Sequence, residues 1–213
     1  MNPSAPPGVH LIRHPILQHH LSNLRRKETR PTEFRRLMTE MSKLIAYEVT
    51  RDQELRLEPI ETPFEAMDAP FLAHRMVVVS IMRAGNGMLE GVLQAIPNAG
   101  VGHIGIYRDK FIHSTVEYFF RLPADVEGRA VLLLDPLLAT GATAVAAIAR
   151  LKQYGVGPIR FVCLLASPEG LALVKEAHPD VDVACLSIER QLNEKGYILP
   201  GLGDAGDRLY NTV

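Results

Sequence analysis

The chain has 213 residues, 47% of them hydrophobic, with a formal net charge of −1. That apolar content excludes disorder for most of the chain, and the length fits one domain over 1–213, with 1–9 expected as a flexible tail. The balance of 23 Lys+Arg against 24 Asp+Glu lacks the basic excess of a nucleic-acid coat, so no nucleic-acid partner is expected.

The opening "MNPSAPPGVH" has neither the charged nor the apolar region of a secretory signal. Pro15 starts a helical piece through "ILQHHLSNLRRK". A second helix follows Pro31, with Phe34, Leu37, Met38, Met41, Leu44 and Ile45 on one face. "LRLEPIETPFEAM" alternates imperfectly around two prolines, as an edge hairpin does. "MVVVSIM" (76–82) reads as a buried strand, Gly85 and Gly87 as a turn, and "MLEGVLQAI" as a helix closed by Pro97. "HIGIY" (103–107) reads as a strand and 108–122 as a mobile hairpin. "AVLLL" (130–134) is the next strand and Thr143 to Tyr154 the next helix. "IRFVCLLA" (159–166) is a strand, after which Ser167 caps and Pro168 begins a helix. "DVACLSI" (182–188) is the last strand, and the Gly- and Asp-rich tail from Glu189 reads as a loop.

Strands alternating with helices predict an α/β fold with a parallel sheet covered on both faces. Ligands of such sheets bind beyond the carboxyl ends of the strands, which directs attention to the loops after Ile81, Tyr107, Leu134 and Ile188. The stretch "AVLLLDPLLATGATAVAAIA" (130–149) has the length of a membrane span. It carries Asp135, Pro136 and Gly141 at its centre, where a charge is costly, so it reads as strand, loop and helix. No membrane association and a cytoplasmic location are expected. Cys163 and Cys185 lie in separate apolar runs and read as buried free thiols.

"GVGHIG" (100–105) and "GLGDAG" (201–206) match a dinucleotide fingerprint in letters only, because neither follows a strand and opens a helix. His10 and His14, or His19 and His20, are poorly placed to share a metal, and no protein-built metal site is expected. "LLLDPLLATGATA" is different. A strand delivers Asp135 to the sheet edge, Pro136 stiffens the exit, and residues 139–143 turn into a helix whose N-terminal N–H groups face an anion. A phosphate site beside an acceptor for two hydroxyls fits a ribose 5-phosphate; an ordinary strand–turn–helix with a threonine cap fits these residues equally well.

The same segment resembles the phosphoribosyl-diphosphate (PRPP) signature of type I phosphoribosyltransferases. Its Asp135-Pro136 pair is similar to the uracil phosphoribosyltransferase branch. "SIMRAGNGM" (80–88) resembles that branch's diphosphate loop, "IYRD" (106–109) its second arginine site, and "NEKGYILPGLGDAGDRLY" (193–210) its uracil-binding tail. "SPEGL" and "AHPDV" also fall where the family has similar pieces, so the likeness runs from about residue 10 to 212.

The resemblance implies a type I phosphoribosyltransferase fold, a mainly parallel sheet flanked by helices with a β-hairpin arm and a C-terminal base-binding segment. It implies transfer of the 5-phosphoribosyl group from PRPP to uracil, giving UMP and diphosphate. Arg83 and Arg108 would contact diphosphate, Asp135 the ribose hydroxyls, and the loop Pro136, Leu137, Leu138, Ala139, Thr140, Gly141, Ala142 and Thr143 the 5-phosphate. Ile198, Gly203, Asp204 and Ala205 would bind uracil, Asp204 also serving PRPP or the base proton. Mg²⁺ would arrive bound to PRPP. The hairpin over 109–121, Lys110 included, would close over PRPP. A homodimer or larger homo-oligomer is implied. The basic cluster "NLRRKETRPTEFRR" (23–36) reads as a solvated helix face or subunit contact, with a GTP effector site as the functional alternative.

The sequence departs from the family at Ser80, where proline is more usual, at Ala142, in place of a second glycine, and in "VEYFF" (116–120), which lacks a proline. A methyl at 142 would crowd a phosphate if that residue needed positive φ. Two other readings compete: a nucleotide-sensing regulator of this fold that binds RNA, and the same chemistry on another base.

Overall fold

The computed structural model describes residues 6–108 and 115–212. A short strand β1 (Val9–Leu11) leads into helices α1 (Pro15–Arg25) and α2 (Pro31–Val49), then the strands β2 (Leu55–Glu61) and β3 (Ala66–Leu72). Both helices begin on proline, whose fixed φ suits the first helical position. Next come β4 (Val77–Met82), α3 (Asn86–Ala95), β5 (Gly100–Arg108), β6 (Thr115–Arg121), β7 (Val131–Leu134), β8 (Leu137–Leu138) and α4 (Ala142–Lys152). The chain continues with β9 (Ile159–Val162), β10 (Leu165–Ala166), α5 (Pro168–Ala177), β11 (Asp182–Cys185) and β12 (Ser187–Ile188). It closes with β13 (Gln191–Leu192), β14 (Ile198–Leu199) and α6 (Ala205–Tyr210).

The central sheet has seven strands in the order β1-β11-β9-β7-β4-β5-β6. All its pairings are parallel except β5 with β6, which are antiparallel with a bulge at Gly105/Ile106. Alternation along β4 shows how it is covered. Val77, Val79 and Ile81 pack with α4 and α5 residues such as Ile148 and Val174. Val78 packs on the opposite face with α1, α2 and α3 residues such as Leu21, Met41 and Val92. That two-sided burial is why the strands read as unbroken apolar runs. No helix among the described residues is long and apolar enough to cross a membrane.

Three expectations need correction. The runs 159–166 and 182–188 are each two strands, because the sheet breaks at its carboxyl edge and resumes as a smaller parallel sheet, β12-β10-β8. The first break falls where the Pro136 carbonyl accepts from both Leu164 N (2.9 Å) and Leu165 N (3.2 Å), and the second where the Leu164 carbonyl accepts from both Leu186 N (3.0 Å) and Ser187 N (3.2 Å). The tail from Glu189 is not simply loop, since it holds the antiparallel β13–β14 pair and α6. Val9, placed in the expected flexible tail, is a strand residue paired with Val183; residues 1–5 lie outside the described residues. The expected hairpin at 55–67 is real but longer, with β2 and β3 paired from Leu55↔Leu72 to Glu61↔Ala66.

Candidate active site

The loops after β4, β7 and β12 meet the C-terminal tail at the carboxyl edge of the sheet. In the loop after β7, Asp135 leaves the strand with its N–H on the Val162 carbonyl (3.2 Å), and its Oδ1 accepts from Leu137 N (3.4 Å). Asp135 as a residue is half-buried, and its carboxyl is enclosed by protein. Burial pushes its pKa up from 3.8 to about 7, the Leu137 N–H opposes this, and the nearby Asp204 charge adds to it. Asp135 and Asp204 are therefore near enough for their charges to interact.

The turn into α4 has Gly141 at the N-cap with φ +85°, a left-handed conformation that favours glycine. An added Cβ there would lie 2.9 Å from the Gly170 carbonyl oxygen. No side chain among the described residues caps α4, and its first intrahelical bond is Val145 N to Gly141 O (2.9 Å). The N–H groups of Ala142, Thr143 and Ala144 are thus presented to an anion, with the helix dipole behind them. Helix α5 holds this turn from behind: Ser167 N donates to Leu138 O (2.9 Å) and Ser167 Oγ to Ala139 O (2.6 Å). Ser167 Oγ also accepts from Gly170 N (2.8 Å), as its expected role as cap requires. The concern over Ala142 resolves locally. It is the first residue of α4, and the only non-glycine with positive φ among the described residues is Asn211.

Arg83 follows β4 on an exposed loop, across a cis Met82–Arg83 peptide. Its Nη2 lies 3.3 Å from Asp207 Oδ1, its guanidinium stands 5.8 Å from the Tyr210 ring centroid, and its carbonyl accepts from Tyr210 Oη (3.1 Å). It therefore sits at the cleft, tied to the tail. Ser80, the family departure, is fully buried in β4. Its Oγ donates to Asn86 Oδ1 (2.7 Å) and pairs with His103 Nδ1 (2.8 Å), bracing the first residue of α3 directly after the Arg83 loop. Arg108 ends β5 opposite Thr115. The expected closing hairpin tip, 109–114 with Lys110, lies outside the described residues.

The tail supplies the opposite wall. Ile198 is buried in β14, Gly203 has φ +83°, and Asp204 caps α6 by accepting from Asp207 N (2.9 Å). Ala205 is buried with Ile198, Leu134 and Leu209 in one cluster, which Ala84, Leu137 and Ala139 join from the two loops. A Cβ on Gly196 would lie 3.6 Å from Thr140 Cγ2, so the tail also approaches the α4 turn. Of the sequence-predicted residues, Arg83, the Asp135–Thr143 loop and the 198–205 segment converge.

Other contributors were not legible in sequence. Asp207, His103 as the partner of Ser80, and the pair of half-buried Arg25 with buried Glu189 (2.6 Å) contact groups distant in the chain. Within the basic cluster, Arg25 is spent on that pair, Arg35 Nη1 donates to Leu209 O (2.7 Å), and Arg36 pairs with Glu33 and Glu40.

Comparison with known proteins identifies the family. The model of the family "Uracil phosphoribosyltransferase" matches residues 11–212. The uracil phosphoribosyltransferase of Brucella anthropi is 55% identical over 206 residues, 96% of this chain and 99% of that protein. That of Agrobacterium fabrum is 52% identical over the same shares. The solved structure of the AQ2163 protein from Aquifex aeolicus superposes with a TM-score of 0.91 at 35% identity, covering 95% of this chain and 97% of that one.

Proposed function

The chain belongs to the uracil phosphoribosyltransferase family, and from that premise we propose how its cleft transfers a 5-phosphoribosyl group from PRPP to uracil, giving UMP and diphosphate. One observation carries the assignment of residues. An uncapped helix start at Ala142 stands beside the Asp135 carboxyl and opposite the 198–205 backbone, which matches a phosphate, a ribose diol and a small planar base in sequence.

The N–H groups of Ala142 to Ala144, with the Thr140 and Thr143 hydroxyls, hold the 5-phosphate. Asp135 accepts from the ribose hydroxyls as a carboxylate. Breaking the bond between C1 and the diphosphate oxygen builds negative charge on the leaving group, and Arg83 and Arg108 stabilise it. Arg83 exchanges Asp207 for diphosphate as PRPP enters. The uracil nitrogen then bonds to C1 and loses its proton. Asp204, whose Oδ1 is committed to Asp207 N, uses its other oxygen for that proton or for a PRPP-bound ion.

The donor set fits a hard cation brought by substrate: two carboxylates, Asp135 and Asp204, close enough for one to raise the other's pKa. Mg²⁺ arriving with PRPP would supply charge neutralisation on the diphosphate, with Asp204 and Asp135 as the carboxylates near it. The backbone of Gly203 to Ala205 reads the base edge, and Ile198 packs near its face.

Homo-oligomerisation is supported by β2–β3, which exposes Leu57, Phe64 (98% exposed) and Phe71. An effector such as GTP would have to use Arg26, Lys27 and Arg30, the exposed remainder of the basic cluster. A cytoplasmic location is consistent with Cys163 and Cys185 remaining free thiols. The test is diphosphate release from PRPP with uracil, cytosine, hypoxanthine, adenine and orotate in parallel. Release with uracil is expected; silence with uracil alongside turnover of another base would overturn the substrate assignment.

A further inference from the structure

We propose that Arg25 and Glu189 are positioning residues for the base: together they clamp both backbone groups of Gly201 and so set the path of residues 202–205. This rests on the assignment of that backbone to the base. Glu189, just after β12, is 7% exposed. Its Oε2 accepts from Arg25 Nη1 (2.7 Å) and Gly201 N (3.0 Å), and its Oε1 from Arg25 Nη2 (2.6 Å) and Ser187 Oγ (2.5 Å). Arg25 Nη1 also donates to the Gly201 carbonyl (2.9 Å). The bidentate Arg25–Glu189 pair thus fixes the two successive peptides that flank the Gly201 Cα.

Burial alone would raise the Glu189 pKa, but the hydrogen bonds from Arg25, Ser187 and Gly201 hold its carboxyl below the usual range. Gly201 has φ +63°, and an added Cβ would meet the Ile198 carbonyl oxygen at 2.2 Å, so the chain must reverse there. Beyond it, Arg208 Nη1 donates to Leu202 O (2.7 Å). Two arginines from distant segments therefore anchor the peptides entering the base-reading stretch. With Glu189 buried and Arg25 half-buried, desolvation offsets much of the pair's attraction, which suits it to fixing geometry more than to adding net stability.

The test compares Glu189→Gln, Glu189→Asp and the double variant Arg25→Met/Glu189→Met with the full-length wild type. In Glu189→Gln we expect the KM for uracil to rise by about tenfold or more while that for PRPP moves by less than about twofold. Amides of 199–205 should exchange faster in that variant, and Glu189→Asp, which keeps the charge, should recover part of both losses. The double variant should regain thermal stability without regaining the uracil KM. A double variant with wild-type KM, equal changes in both KM values, or unchanged exchange at 199–205 in Glu189→Gln would overturn the proposal. If the wild type ignores uracil but turns over another base, the substrate assignment fails and the split is read on that base. If it turns over none, the exchange result decides.

Discussion

Asp135 offers a test in which ionisation, ligand binding and stability must move together. Its pKa of about 7 means that near neutrality half of the free enzyme holds this carboxyl protonated. In the proposed complex the ribose hydroxyls donate to the carboxylate, so PRPP selects the ionised form. The apparent dissociation constant then scales as one plus the ratio of protonated to ionised Asp135, which weakens PRPP about tenfold from pH 8 to pH 6. At pH 7 binding should release about half a proton, visible as a buffer-dependent enthalpy in titration calorimetry.

PRPP phosphates also titrate near this range, so Asp135→Asn is the control: it should bind PRPP more weakly and lose the part of the slope that belongs to Asp135. Stability gives an independent reading. An acid whose folded pKa is raised binds more protons folded than unfolded between about pH 4 and 7, so its contribution falls as pH rises through that window. The shift from 3.8 to about 7 corresponds to roughly 4 kcal/mol lost once the pH is above both values. Asp135→Asn should then raise the Tm of the free enzyme at pH 8 by several degrees relative to wild type, and not at pH 4. Identical pH slopes for PRPP in both proteins, with no gain in Tm, would refute the reasoning.

Two further changes probe the loops. Gly141→Ala forces a methyl into a left-handed turn against Gly170, costing about 1–3 kcal/mol and most PRPP affinity, whereas Ala142→Gly, at an ordinary helical position, should leave the PRPP KM within about twofold. Calorimetry and initial rates read both. Ser80→Ala removes the bonds to Asn86 and His103, with an expected loss of about 1–3 kcal/mol and a raised PRPP KM; in a cycle with Asn86→Ala the effects should be non-additive.

The parts of the fold that were legible share a cause. Helices α1 and α2 announced themselves through Pro15 and Pro31 and a three-to-four spacing of apolar residues, and β4 and β7 through unbroken runs of aliphatic residues buried on both faces. These are local signals. The double break at β9/β10 and β11/β12 had none, because "IRFVCLLA" and "DVACLSI" carry no glycine or proline; the steps follow carbonyls of neighbouring segments, Pro136 O for the first and Leu164 O for the second. Strand β1 was hidden for a similar reason: three residues acquire strand geometry only by pairing with β11. The tail's small elements are stabilised by partners elsewhere, such as Leu209 in the main core and Arg208 stacked 4.5 Å over the Phe34 ring.

The same division runs through the site. Groups expected to touch substrate lie in short contiguous stretches, because strand ends and helix starts are the local geometries that present backbone N–H groups and carboxylates. Groups that hold those stretches in place come from far along the chain: Ser167 for Ala139, Tyr210 and Asp207 for Arg83, Arg25 and Glu189 for Gly201. Each acts on a backbone peptide or on an exposed loop that would otherwise sample several conformations, and fixing it ahead of binding lowers the entropy lost when the ligand arrives. A substitution among these supports should therefore alter KM for the ligand whose wall it braces before it alters the bond-breaking step. On the proposed assignment that asymmetry separates the two ligand walls, placing Ser80 and Ser167 with PRPP and Arg25 and Glu189 with the base.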